Sequence, residues 1–440
     1  MKIEEVNSVF LLGIDGIGMS GLARYFKTRG CSVHGYDKTK TELTESLQRE
    51  GIIINYSEDV NAVPKSDLYV FTPAIPKSHP AFSHVSGEGN QWYKRSEVLQ
   101  LITAAIPTLA VAGTHGKTTT TALLAHILTA SGVEIAAFVG GIMSDYGSNV
   151  VLTEDPKYIV VEADEFDRSF HKLSPEIGVI TSIDPDHLDV YGSIEQVRQD
   201  FQQFASNCKK LVLHDSLKNQ IEHENVLLYG DSVDADILLK WRIPEGGKSQ
   251  FSISGVDFQS NLPGHYNALN TSAAVGVATE VQVRPIDSSD AVRKFSGIQR
   301  RFEIKFDDGQ KALIDDYAHH PRELQAVIRA TRELYAGRTI AVVFQPHLYS
   351  RTRDFEVEFV TSLSMADEVI LLPIYPAREL PIEGVSSANL LKKLPLKTKA
   401  LVEKSDLVIA VLSLTAQVVL MLGAGDIDQL VDPVAEAFAN

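Results

Sequence analysis

Short apolar runs alternate with amphipathic segments along the first hundred residues of the chain. The apolar run Val9–Leu12 predicts a strand, and apolar residues at helical spacing across Gly18–Gly30 predict a helix after it. Cys31–Tyr36 predicts a second strand, and Tyr69–Phe71 predicts the end of a later one. This alternation of strand and helix indicates a Rossmann-like unit with a parallel sheet.

The same alternation recurs twice further along the chain. In the middle third, strands are predicted at Thr108–Ala112, Tyr158–Val161 and Ile177–Ile183, and helices at Thr120–Ala130, Ile194–Ala205 and Ala268–Thr279. Near the end, strands are predicted at Lys311–Ile314, Thr339–Phe344 and Glu368–Leu372, and a helix at Arg322–Leu334. We therefore predict an α/β protein of three domains, over residues 1–101, 102–299 and 300–440.

Composition narrows the class of protein. A length of 440 residues exceeds what one hydrophobic core usually organises, and the formal net charge of −16 argues against nucleic acid as the main partner. The two cysteines, Cys31 and Cys208, do not predict a disulfide framework, which fits a reducing cytoplasm. Because no apolar run approaches membrane-spanning length, we expect a cytoplasmic protein without membrane insertion. We also expect a monomer or homodimer.

A glycine loop between the strand Thr108–Ala112 and the following helix carries the strongest chemical signal. Backbone amides of such a loop cradle phosphates, a lysine reaches the outer phosphates, and the next hydroxyl can bind Mg²⁺. The loop therefore predicts an ATP site and a P-loop ATPase-like central domain. Its residues are Gly113, Thr114, His115, Gly116, Lys117, Thr118 and Thr119.

A second glycine-rich segment closes the first strand and includes Gly13, Gly16, Ile17 and Gly18. Asp37 ends the second strand, at a spacing suited to a ribose hydroxyl. By itself this pattern is also typical of an NAD-dependent oxidoreductase, which would leave the loop at Lys117 without a role.

Acidic side chains follow two strands of the central domain. Glu162 ends one strand, and the segment Asp184–His187 follows another. Because the carboxyl ends of parallel strands meet at one edge of a sheet, Thr118, Glu162 and His187 are candidate metal ligands.

Two polar loops follow strands of the last domain. Asp315–Pro321 precedes a helix, and Gln345–Arg353 follows the next strand. Arg351 or Arg353 could bind a carboxylate through paired hydrogen bonds.

Together these segments resemble the Mur ligase family over essentially the whole chain. The resemblance rests on Gly13–Ala23, Gly113–Thr119, Glu162–Phe170, Asp184–Ser193, Leu262–Asn270, Arg300–Phe302, Asp315–Pro321, Gln345–Asp354, Tyr375–Ala377 and Gly423–Ile427. It implies an N-terminal domain that binds the UDP of UDP-N-acetylmuramate, a central domain that binds ATP and Mg²⁺, and a C-terminal Rossmann-like domain that binds L-alanine. The implied reaction is amide formation through an acyl phosphate, in peptidoglycan precursor synthesis.

The resemblance also implies roles for single residues. The glycine loop Gly13–Gly18 and Asp37 would bind the UDP-sugar, and Asn267 and Asn270 the nucleotide. The catalytic set would be Lys117, Glu162, His187, Arg301 and Asp316, and the amino-acid site Tyr317, His319 and Arg351.

Three positions depart from the family pattern, and one of them is Tyr266, which replaces a histidine beside Asn267. Asp15 replaces a glycine, and Leu348 stands where an arginine often faces the amino acid. Two alternatives remain: a recycling ligase of the same family that attaches a peptide, and a nucleotide-binding regulator without ligase chemistry.

Overall fold

The computed structural model describes residues 2–165, 168–184, 193–245, 248–377 and 379–439. Over these ranges the chain is an α/β protein with largely parallel sheets, as expected from the sequence. The chain forms two compact units: unit 1 is Met1–Leu238 with Asn270–Ala291, and unit 2 is Leu239–Leu269 with Val292–Asn440. The domain limits at 101/102 and 299/300 remain a prediction.

The first sheet of unit 1 is parallel, with the strand order β3-β2-β1-β4-β5. Its strands are β1 Ser8–Leu12, β2 Ser32–Tyr36, β3 Ile53–Asn55, β4 Leu68–Phe71 and β5 Trp92–Lys94. Its helices are α1 Ile17–Thr28, α2 Glu42–Arg49, α3 Pro80–Gly87 and α4 Arg95–Ala105. The central strand β1 is almost fully buried because its apolar side chains pack on both faces of the sheet.

The second sheet of unit 1 has the order β12-β11-β10-β6-β9-β7-β8, parallel except for the β7–β8 hairpin. Its strands are β6 Thr108–Ala112, β7 Ile135–Met143, β8 Ser148–Leu152, β9 Tyr158–Glu162, β10 Ile177–Ile180, β11 Lys210–His214 and β12 Val226–Gly230. Its helices include α5 Lys117–Ala130 and α6 Ile194–Asn207, and α7 His265–Glu280 enters unit 1 at Asn270. Because β6 lies between β9 and β10, the loops after these three strands meet at one edge.

Unit 2 contains an antiparallel segment and a separate sheet of order β16-β17-β21-β18-β19-β20. The antiparallel strands are β13 Ile237–Glu245, whose first two residues belong to unit 1, β14 Lys248–Ile253 and β15 Val256–Ser260. The sheet strands are β16 Glu303–Asp307, β17 Ala312–Asp316, β18 Ile340–Phe344, β19 Glu368–Leu371, β20 Thr398–Leu401 and β21 Val418–Leu422. The later helices are α8 Pro285–Lys294, α9 Pro321–Leu334, α10 Tyr349–Asp354, α11 Glu356–Leu363, α12 Ser387–Lys393, α13 Leu407–Leu412 and α14 Val431–Ala439.

Several element limits differ from those predicted from the sequence, and three of the differences have a clear physical cause. Helix α5 begins at Lys117 rather than Thr120, because Gly116 takes a left-handed conformation with φ of 84° that ends the loop. Strand β10 ends at Ile180 rather than Ile183, since the next residues turn to contact the glycine loop. Strand β17 continues through Asp316, because its last two residues pair with β21.

None of the helices described is long and apolar enough to cross a membrane. Cys31 and Cys208 are both buried free thiols, in agreement with the sequence expectation.

Candidate active site

The glycine loop lies between the buried strand β6 and the amino end of α5. Gly113 has a φ of 137° and Gly116 a φ of 84°, both in the region that favours glycine. A Cβ at Gly116 would lie 2.4 Å from Oδ1 of Asn270, so Asn270 packs directly against the loop backbone. This narrow cradle fits the phosphates of a nucleotide, which bind backbone amides at a helix amino end.

Residues after β10 brace the same loop. Ser182 Oγ accepts a hydrogen bond from the His115 amide at 2.9 Å, and the Asp184 amide donates to Thr114 Oγ1 at 3.0 Å. Thr181 donates its hydroxyl to the His115 carbonyl. The loop conformation is therefore held by residues 66 to 70 positions further along the chain, and not by the loop sequence alone.

Lys117 is surrounded by carboxylates. Its Nζ donates to the Gly113 carbonyl at 2.6 Å and to Glu165 Oε1 at 2.8 Å. Burial by itself lowers the pKa of Lys117, but the charges of Glu165, Asp164 and Glu162 raise it above its ordinary value. Lys117 is therefore a firmly protonated cation beside the phosphate cradle.

A cavity of about 300 Å³ in unit 1 joins the first glycine loop to the carboxylates. Ile17 and Gly18 line one part of it, and Glu162 and Asp164 line another. Arg95 also lines the cavity and lies against Gly18, where a Cβ would be 2.7 Å from its Cδ. The cavity thus holds a guanidinium that suits an anionic substrate, and two carboxylates that suit a divalent cation, beside the predicted UDP-sugar loop.

The first glycine loop is fixed by the end of β2. The amides of Gly13 and Ile14 donate to the Tyr36 carbonyl at 2.8 and 3.1 Å. The Asp15 amide donates to Asp37 Oδ2 at 2.9 Å, so Asp37 lies against the loop, and its contact with a ribose hydroxyl remains a prediction. Burial raises the pKa of Asp15, against the lowering effect of the hydrogen bond from the Thr41 hydroxyl, and the Asp37 charge raises it further.

Asp316 is the buried centre of the candidate site in unit 2. Its Oδ2 accepts from the Phe302 amide and its Oδ1 from the Ala318 amide, each at 2.7 Å. Burial raises the pKa of Asp316 to about 6, although the Arg301 charge and these amides lower it. Arg301 and Asp316 therefore lie near one end of β17, and their catalytic roles remain a prediction.

The rings of Tyr317 and His319 and the guanidinium of Arg301 lie close together beside Asp316. The ring of Tyr317 lies 5.4 Å from that of His319, with the Arg301 guanidinium 5.2 Å from the Tyr317 centroid. His319 lies 6.0 Å from the ring of His347. Burial, together with the charges of His319 and Arg351, lowers the pKa of His347 to about 4. A neutral His347 leaves the buried Arg351 as a positive group that can meet a carboxylate.

The structure gives fewer contacts for the remaining predicted site residues. Asn267 Nδ2 donates to the Pro263 carbonyl at 2.8 Å in unit 2, whereas Asn270 lies in unit 1 beside Gly116. His187 lies outside the described residues. Thr118 lies at the start of α5 and Glu162 at the end of β9, both side chains have oxygen donors that Mg²⁺ accepts, and their role as metal ligands remains a prediction. The residues described contain no cluster of three or more His, Cys, Asp or Glu suited to a metal.

Sequence reasoning missed several site residues. Glu165, the ion-pair partner of Lys117, was one of three neighbouring acids without a distinguishing signal. Arg95 and Gly140 line the cavity but belong to no motif. Their contacts join distant parts of the chain, so only the fold reveals them.

Fold and site together define an ATP-dependent ligase architecture, and family models agree. The Mur ligase family catalytic domain matches residues 9–106, the Mur ligase middle domain residues 111–278, and the Mur ligase glutamate ligase domain residues 300–425. The chain belongs to the Mur ligase family.

Comparisons with individual proteins are more specific than the family models. The chain is 44% identical to a UDP-N-acetylmuramate–L-alanine ligase of Christiangramia forsetii, over 100% of this chain and 99% of the relative. It is also 44% identical to the Parabacteroides distasonis protein of the same name, over 99% and 98%. Among solved structures, the UDP-N-acetylmuramate–alanine ligase of Thermotoga maritima superposes with a TM-score of 0.82 at 28% identity, covering 98% of this chain and 99% of that one.

A murein peptide ligase of Psychrobacter arcticus also shares the fold. Its TM-score is 0.71 at 20% identity, with 98% of this chain and 99% of that chain covered. At this identity the likeness concerns the fold alone.

Proposed function

We propose that this chain is an ATP-dependent ligase that joins L-alanine to the lactyl carboxylate of UDP-N-acetylmuramate. The observation that carries the proposal is the cavity in unit 1. It is lined by the first glycine loop and by Glu162 and Asp164, whose charges act on Lys117 of the phosphate loop. A sugar held by the first loop would therefore lie beside the residues that would hold the nucleotide.

The residues of the phosphate cradle would bind the nucleotide. The loop Gly113–Thr119 with Asn270 would hold the phosphates, and Thr118, Glu162 and His187 would hold Mg²⁺. When bound, ATP supplies the γ-phosphoryl group that activates the sugar carboxylate, and Mg²⁺ supplies charge that offsets the repulsion between the two anions. Lys117 contributes a further positive charge at the same place.

The residues around Asp316 would bind the acceptor. Arg351 is the group suited to the carboxylate of L-alanine, and Tyr317 and His319 line the same cluster. Orientation of the amine by these residues would favour its attack on the activated carbonyl carbon.

A phosphate-release assay tests the proposal. Purified protein is given ATP, Mg²⁺ and UDP-N-acetylmuramate, with L-alanine, glycine, L-serine or the cell-wall tripeptide as acceptor. We expect phosphate release that is fastest with L-alanine. A preference for the tripeptide would support the recycling ligase instead, and no release with any acceptor would end the ligase proposal.

A further inference from the structure

A buried polar bridge ties helix α1 to the β7–β8 hairpin in unit 1. Asn149, on β8, is 1% exposed, and Arg24, on α1, is 6% exposed. Arg24 Nη1 donates to Asn149 Oδ1 at 3.0 Å, and Asn149 Nδ2 donates to the Ile17 carbonyl at 2.7 Å. The bridge therefore ends on the first residue of α1, which also lines the cavity.

The two partners leave the Asn149 amide a single suitable orientation. Arginine can only donate, and a backbone carbonyl can only accept. The amide oxygen must therefore face Arg24 and the amide nitrogen must face Ile17. An aspartate of the same shape could keep the first bond but could not make the second.

Arg24 is itself held firmly. Its Nε donates to both carboxylate oxygens of Glu50, at 3.0 and 2.9 Å, and its Nη2 donates to Glu50 Oε1 at 2.7 Å. These bonds satisfy a charge that would be costly to bury alone. Arg24 thus offers Asn149 a fixed donor that is anchored to α2 through Glu50.

Close packing makes the bridge short. A Cβ at Gly21 would lie 3.1 Å from Asn149 Nδ2 and 3.1 Å from Val150 Cγ1, so α1 approaches the hairpin closely at this glycine. Gly21, Asn149 and Gly140 of the same hairpin all line the cavity. The hairpin therefore connects the first glycine loop with the wall of the cavity that contains Glu162.

We propose that Asn149 is a positioning residue that fixes the Ile17–Gly18 end of the glycine loop for the sugar substrate, with Arg24 as its support. This inference rests on the proposed function. It differs from a contact with substrate, since Asn149 acts through the Ile17 carbonyl. Ser20 Oγ bonds the same carbonyl at 2.9 Å, but from within α1, and cannot relate the loop to the cavity wall.

Steady-state kinetics of Asn149→Ala test the role. Alanine removes both hydrogen bonds of the Asn149 side chain, and loss of the bond that positions Ile17 should raise the KM for UDP-N-acetylmuramate roughly ten-fold. The KM values for ATP and L-alanine should stay within about two-fold of wild type, and kcat within about three-fold. The reason is that the Ile17–Gly18 end of the first glycine loop is proposed to bind only the sugar substrate. Unchanged KM for the sugar, or a parallel rise for all three substrates, would overturn the proposal.

Two further variants separate positioning from packing. Asn149→Asp keeps the shape of the side chain and the contact with Arg24 but removes the donor to Ile17. The KM for UDP-N-acetylmuramate should therefore rise at least as much as in the Asn149→Ala variant. If Asn149 only fills space, this variant would keep the wild-type KM. Arg24→Lys should raise the sugar KM less, and adding it to Asn149→Ala should produce no further rise because both act through one bridge.

Asn207→Ala is the matched control. Asn207 Nδ2 donates to the His171 carbonyl at 3.0 Å, a similar bond away from the cavity, and its loss should leave every KM unchanged. Calorimetric binding of UDP-N-acetylmuramate to wild type and Asn149→Ala gives an independent readout. If wild type binds the sugar but releases no phosphate, the proposed function fails while the weaker binding of the variant still supports Asn149.

Discussion

The Glu162 carboxylate occupies space that a side chain at position 140 would fill, so its position depends on Gly140 in strand β7. A Cβ at Gly140 would lie 2.1 Å from Glu162 Oε2 and 2.8 Å from its Cδ. Gly140 does not have the positive φ that favours glycine, so alanine can adopt the same backbone conformation. Any effect of Gly140→Ala should therefore arise from the contact with Glu162 and not from backbone strain.

The size of the effect follows from the distance. Ordinary carbon–oxygen contact requires the carboxylate oxygen to move by roughly 1 Å. A misplacement of this size at a group that orients the reactants can cost about 100-fold in rate, or about 2.7 kcal/mol of activation free energy. We therefore expect kcat for phosphate release to fall by about 100-fold, with a smaller change in the KM for L-alanine, whose proposed site is in unit 2.

Gly87→Ala provides the control for this experiment. Gly87, in α3, has no positive φ, and a Cβ there meets no atom within 4 Å, so the substitution should leave both kcat and thermal stability close to wild type. Thermal unfolding confirms that both variants are folded before the kinetic comparison. A kcat for Gly140→Ala within two-fold of wild type would refute the assignment of Glu162 as a group whose position matters for the reaction.

Three further predictions concern the two sites. Lys117→Ala should lower phosphate release by at least about 100-fold while calorimetry still detects UDP-N-acetylmuramate binding; loss of both would show that the nucleotide and sugar sites are not separate. Gly116→Ala should weaken binding of a non-hydrolysable ATP analogue roughly ten-fold or more, since its Cβ would meet Asn270 Oδ1 in a left-handed conformation; unchanged calorimetric affinity would contradict this. Burial raises the pKa of Asp315 from 3.8 to about 7, against the opposing Arg300 charge, so the folded state binds the extra proton and stability should fall as pH rises from about 4 to 7. Asp315→Asn should reduce that slope, because the raised pKa of Asp316 contributes the remainder, and unfolding midpoints at pH 5 and pH 8 would measure the reduction; an equal slope in both proteins would count against it.

Local sequence pattern was enough to predict much of the fold. The strands β6 and β18 and the helices α5 and α9 follow from apolar runs and helical spacing over neighbouring residues. The limits of α5, β10 and β17 were displaced because they depend on a left-handed glycine, on contacts with another loop and on pairing with β21. These are long-range causes that a window of sequence does not contain.

The sequence by itself determined the chemistry available to the protein: a phosphate loop with Lys117, acids at strand ends, and an arginine near a polar loop of the last domain. Only the tertiary structure decided which groups meet. It paired Lys117 with Glu165, 48 residues away, and bonded Asn149 to Ile17, 132 residues away. It also set Glu162 against Gly140 and brought Arg95 to Gly18. The physical reason is that side-chain identity is a local property, whereas strand order decides which loops share an edge of a sheet and therefore which side chains share a cavity.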